Sequence, residues 1–129
     1  MALSLKDALV MFVECDDDTV VTTRAVLEVN DVAVMCVSSQ QGAGDILQHR
    51  PDLLVVDVGL SDDAYGLVRD LRTETPPDVE RLPAVALLED EADRPRALEA
   101  GFDAAVVKPV QARTLVTRMK ELLARHSTR

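Results

Sequence analysis

Five short runs in which apolar residues follow one another without alternation constrain this chain more than any other feature: residues 8–13, 32–37, 53–56, 84–88 and 104–107. A strand with one wet face alternates apolar and polar positions, so unbroken runs describe strands buried on both faces, as in a parallel sheet covered by helices. The intervals between the runs carry helical spacing. Val20, Val21, Val26 and Leu27 are read as one side of a first helix, and Leu115, Val116, Met119, Leu122 and Leu123 as the apolar stripe of a last one. Shorter helices are expected over 44–49, ending before Pro51, which disfavours helical backbone at Arg50; over 65–73, stopping before Pro76 and Pro77; and over 93–100, closed by Gly101 as a left-handed cap. Strand and helix thus alternate with connections too long for hairpins. The expected fold is an α/β doubly wound (βα)5 sandwich, a single domain over residues 1–129.

Functional groups of such sheets lie beyond the carboxyl ends of the strands. That rule selects the acidic stretch ECDDD at 14–18, Asp57, residues 88–91 and Lys108. Asp57 follows DLLVV, so its carboxylate emerges from a buried strand, and Lys108 follows AAVV and precedes Pro109. Carboxylates from the first and third strands suit a hard cation such as Mg²⁺, and a lysine opposite them neutralises an incoming phosphoryl group. An aspartate placed there can accept that group as an acyl phosphate.

Composition excludes several other functions. A formal net charge of −9 disfavours a nucleic-acid surface, and Phe12, Tyr65 and Phe102 are the whole aromatic set, too few for stacking platforms. No apolar run approaches the roughly 18 residues of a membrane span, and the start MALSLKDA carries charge too early for a secretory signal, so a cytoplasmic protein is expected. Cys15 and Cys36 read as small hydrophobes rather than a disulfide. The GAG at 42–44 lacks the further glycine and lysine of a phosphate loop and reads as a plain loop; His49 and His126 read as surface residues.

The segments VECDDDT, RPDLLVVDVGLSDDAYG and LPAVALLEDEADRPRALEAGFDAAVVKP, with the closing amphipathic helix, closely resemble the receiver domain of two-component response regulators over nearly the whole chain. The resemblance implies the flavodoxin-like strand order 2-1-3-4-5, no enzymatic turnover of its own, and a histidine kinase or phosphotransfer protein as partner. By resemblance Asp57 is the phosphoacceptor, Lys108 contacts the phosphoryl group, and Mg²⁺ sits on Glu14, Asp16 and Asp57. The output partner is unspecified, and neither nucleic acid nor membrane is expected to bind.

Three positions depart from the family pattern. Counting back from VLEVND puts the usual acidic pair at Glu14 and Cys15, whereas a one-residue bulge seats Asp16 there instead; Asp17 and Asp18 then serve the helix start. The hydroxyl residue that normally ends strand four is Leu88, and the aromatic of strand five is Ala105. These departures favour a second reading, a receiver-like docking module that no longer needs phosphorylation. A third reading takes Asp16-Asp17-Asp18-Thr19-Val20 as the D-x-D-x-[TV] motif of haloacid dehalogenase-type phosphatases, with Asp16 as nucleophile and Asp18 as acid/base. It lacks the later acidic pair, since Glu121 is the only acid in 109–129.

Overall fold

The computed structural model describes residues 5–15, 18–38, 42–59, 63–74 and 81–126. Strands β1 (Leu9–Val13), β2 (Ala33–Val37), β3 (Leu53–Asp57), β4 (Ala84–Leu88) and β5 (Ala104–Val107) alternate with helices α1 (Asp18–Val29), α2 (Gly42–His49), α3 (Asp63–Glu74), α4 (Arg94–Ala100) and α5 (Ala112–His126). Single 3₁₀ turns, Leu5–Asp7 and Glu91–Asp93, precede β1 and α4. All four strand pairings are parallel and the order is β2-β1-β3-β4-β5, as the sequence implied.

The sheet divides the core in two. Met11, Val13, Leu54, Val56, Ala84 and Ala86 face a cluster closed by Ile46 of α2, Val68 and Leu71 of α3 and Ala97 of α4. Val10, Phe12, Leu53, Val55, Val85 and Leu87 face the other, closed by Val20 and Leu27 of α1 and Leu115, Met119, Leu122 and Leu123 of α5. Each large side chain buried this way contributes about 1.5–3 kcal/mol, which is why the unbroken apolar runs decide the fold.

Three expectations are corrected. Only β1, β3 and β4 carry the deep burial that unbroken runs imply; β2 and β5 are the edge strands, and most of their residues are half-buried. In α1, Val20 and Leu27 are buried but Val21 and Val26 are exposed, because seven residues make two turns whereas steps of one or six do not return to the same stripe. The GAG at 42–44 opens α2 instead of forming a loop.

Helix ends follow local chemistry. Arg50 lies just outside α2 with φ of 49°, and Gly101 caps α4 with φ of 113°, its N–H turned back to Ala97 and Leu98 carbonyls. A Cβ at Gly101 would meet Cγ of Arg72 at 2.7 Å, so glycine is required there on two counts. Arg72 itself fastens α3 to the far end of the sheet, donating to Gly101 O at 2.9 Å, Leu82 O at 2.6 Å and Asp103 Oδ2 at 3.0 Å. Asp103 in turn accepts the Ala84 N–H at 2.9 Å. One guanidinium thereby sets the register between α3, the start of β4 and the α4–β5 turn.

Candidate functional site

The register brings Val13 beside Val56, Asp57 beside Leu87, and Leu88 beside Val107. Glu14, Asp57, Glu89 and Lys108 therefore leave four strands at one edge of the sheet. Asp57 ends β3 and is fully buried. Its Oδ1 accepts a hydrogen bond from the Gly59 N–H at 3.1 Å and its Oδ2 accepts one from Lys108 Nζ at 2.7 Å. A buried carboxylate is tolerable only when bonded and paired in this way, and the pair leaves an oxygen nucleophile beside a cation.

Lys108 is positioned by the end of the sheet: its N–H donates to Leu88 O at 2.8 Å and its peptide bond to Pro109 is cis. Its side chain is only 9% exposed and also donates to Glu89 Oε1 at 2.8 Å. In the sequence Glu89 is marked only as one of residues 88–91 beyond the fourth strand, with no role of its own. The signal for its actual role is its place, one residue beyond β4 and thus beside the residue that follows β5.

At the end of β1 the chain turns sharply. Glu14 adopts φ of 66°, uncommon for a residue with a side chain, while its N–H holds Val37 O at 2.9 Å. Beyond this kink Cys15 turns its thiol back to donate to Phe12 O at 3.4 Å and packs with Cys36 against the cluster under α1 and α5. Burial, reinforced by Cys36, pushes the Cys15 thiol up to about 12, so at neutral pH it is protonated. Arg24 Nη1 lies 3.3 Å from Cys36 Sγ on the same side. Asp18 opens α1, as expected for an acid in a first turn. Asp16 and Asp17 lie outside the described residues. Among the described residues no group of three acids, histidines or cysteines gathers around one point. Glu14 and Asp57 are nonetheless hard oxygen donors on neighbouring strands, a set that fits Mg²⁺, which keeps several of its own waters.

The other two departures, Leu88 and Ala105, stand where the sequence put them. Leu88 is fully buried and Ala105 nearly so, so no hydroxyl ends β4 and no ring occupies β5 at these positions. Sequence reasoning missed what ties the region together: Arg94, the first residue of α4, donates to Ala105 O at 2.7 Å and pairs with Glu91 at 2.6 and 3.0 Å. The aromatic residues near this face cluster elsewhere, Tyr65 edge-to-face with Phe102 at 6.4 Å and under the Arg96 guanidinium at 4.0 Å.

The fold is that of known signalling proteins. The chain is 36% identical over 89 residues to the KDP operon transcriptional regulatory protein KdpE of Escherichia coli, covering 68% of this chain and 38% of that protein. It is 36% identical over 118 residues to the transcriptional regulatory protein CseB of Streptomyces coelicolor, covering 90% and 49%. The chain thus spans less than half the length of these relatives. Among solved structures, the signal receiver domain of a signal transduction histidine kinase from Syntrophus aciditrophicus superposes with a TM-score of 0.80 at 26% identity, covering 95% of this chain and 94% of that one. The receiver domain of sensor histidine kinase PA1611 from Pseudomonas aeruginosa, with magnesium in its active-site cleft, gives 0.77 at 22% identity, covering 90% and 97%. No family model matches the chain. The chain belongs to the receiver domains of two-component response regulators.

Proposed function

We propose that Asp57 accepts a phosphoryl group from a phosphohistidine of a histidine kinase or phosphotransfer protein, or from a small donor such as acetyl phosphate, in a Mg²⁺-dependent step. The observation that carries this reading is the fully buried Asp57 carboxylate held 2.7 Å from Lys108 Nζ at the carboxyl edge of the sheet. An Asp57 oxygen attacks phosphorus, the bond from phosphorus to the donor breaks, and the donor leaves with the bonding pair, giving an aspartyl phosphate. The Lys108 ammonium neutralises charge that builds on the phosphoryl oxygens, and the Gly59 N–H keeps the carboxylate oriented. Mg²⁺, when bound to Glu14, Asp57 and Asp16, supplies further charge neutralisation; the PA1611 receiver domain, of the same fold, carries magnesium in its cleft. The modified domain acts on an output domain or protein in the cytoplasm, and no described helix is long and apolar enough to cross a membrane.

The test is intact mass after incubation with acetyl phosphate and Mg²⁺. One added phosphoryl group is expected, not formed when Mg²⁺ is chelated before the donor is added and absent in Asp57→Asn; no added mass with several donors contradicts the reading. The docking module remains the second reading because Leu88 and Ala105 remove two parts of the usual response, and it predicts partner binding unchanged in Asp57→Asn.

A further inference from the structure

We propose that Glu89 is an acidic gate on Asp57, occupying the Lys108 ammonium and setting a charge barrier that slows phosphorylation by small anionic donors; this rests on Asp57 being the phosphoacceptor. Lys108 Nζ donates to Asp57 Oδ2 at 2.7 Å and to Glu89 Oε1 at 2.8 Å, so one cation serves two carboxylates. The Glu89 side chain also lies against Gly59, whose N–H holds the other Asp57 oxygen: a Cβ built on Gly59 would stand 2.4 Å from both Cγ and Oε1 of Glu89. The carboxylate thus spans from Gly59 to Lys108, on either side of the Asp57 head group. A glycine at position 59 leaves the space that this side chain takes.

The chemistry follows from charge. A phosphoryl donor brings negative oxygens toward Asp57 and needs the ammonium that Glu89 engages, so the two anions compete for one cation. Glu89 is 55% exposed, and a half-exposed ion pair is weak, so the gate opens at small cost by swinging the side chain into water. A bulky partner that offers its own cation to Glu89 would draw it away, whereas a small donor has nothing to offer it. The residue therefore discriminates between donors without touching the reacting atoms.

The experiment compares initial rates of acetyl phosphate labelling in the full chain with Mg²⁺, read by intact mass, for the native protein, Glu89→Gln and Glu89→Ala. Both variants are expected to label about fivefold faster at low salt, with the advantage shrinking as salt rises, since screening weakens exposed charges. Glu91→Gln removes a nearby acid that pairs with Arg94 instead of Lys108, and is expected to give the native rate. Equal rates for native protein and both Glu89 variants overturn the gate while leaving Asp57 as acceptor. Acceleration by Glu91→Gln as large as by Glu89→Gln also overturns it, by assigning the effect to net charge. Absence of labelling in every form overturns the acceptor reading and the gate with it.

Discussion

Two regions of one sheet edge differ in what they carry. At the ends of β3 and β5 stand the parts of the proposed acyl-phosphate site: a buried Asp57, the Lys108 ammonium 2.7 Å away and an acid, Glu14, just beyond the neighbouring strand. On β4, which lies between those two strands, and within β5 itself, where a receiver converts that chemistry into a change of surface, Leu88 offers no hydroxyl and Ala105 no ring. Arg94 instead fixes α4 to the β5 backbone through Ala105 O. Accepting a group and responding to it have different physical requirements. The first needs charges held at an edge, and the second needs side chains with two arrangements of similar energy.

The sharpest way to break the first half is Lys108→Ala. It leaves the Asp57 carboxylate buried without its cation, and the loss of a buried partner costs about 3 kcal/mol, read as a lower urea midpoint. An unchanged midpoint would show that Lys108 is not what makes the buried acid tolerable. The second half is sharpened by the double variant Leu88→Thr with Ala105→Tyr. A restored charge-assisted bond to a phosphoryl oxygen contributes on the order of 1.5–3 kcal/mol of bias toward a second state. The variant is expected to extend the amide response to beryllofluoride, a phosphoryl mimic, through residues 97–116; a response no wider than in the native chain would show that the missing pair is not what limits it. The smallest effect is at Cys15. Its folded value is raised from 9.0 to about 12, so the protonated thiol favours the fold fully below about pH 9, and that contribution is lost as pH rises toward about 12. Native protein at pH 8 is expected to react at Cys15 at least about tenfold more slowly with a thiol reagent than protein unfolded in urea, and equal rates would contradict the burial.

Much of this contrast was legible in the residues. The unbroken runs gave five parallel strands, and the strand-end rule found Asp57 and Lys108, because burial and topology are written in local pattern. Edge position is not: the apolar residues of β2 read like those of β3, and only the pairing partners distinguish them. Nor did spacing reveal that Glu89 sits on Lys108 or that Arg94 reaches Ala105 O, because both contacts join residues from different strand–helix units. The kink at Glu14 was invisible for another reason, since a glutamate at φ of 66° runs against the residue's own preference and is held by the Val37 carbonyl. Asp16, expected with Glu14 at the cation site, lies outside the described residues.

The separation of acceptance from response is tested most directly by amide chemical shifts of the native chain with Mg²⁺ before and after beryllofluoride. Large changes are expected at Glu14, Asp57, Gly59, Glu89 and Lys108 that fade across 97–116. Large changes throughout 97–116 would contradict it, because the signal would then travel without the hydroxyl and the ring. So would an absence of change around Asp57, because the edge would then not be the site of the chemistry.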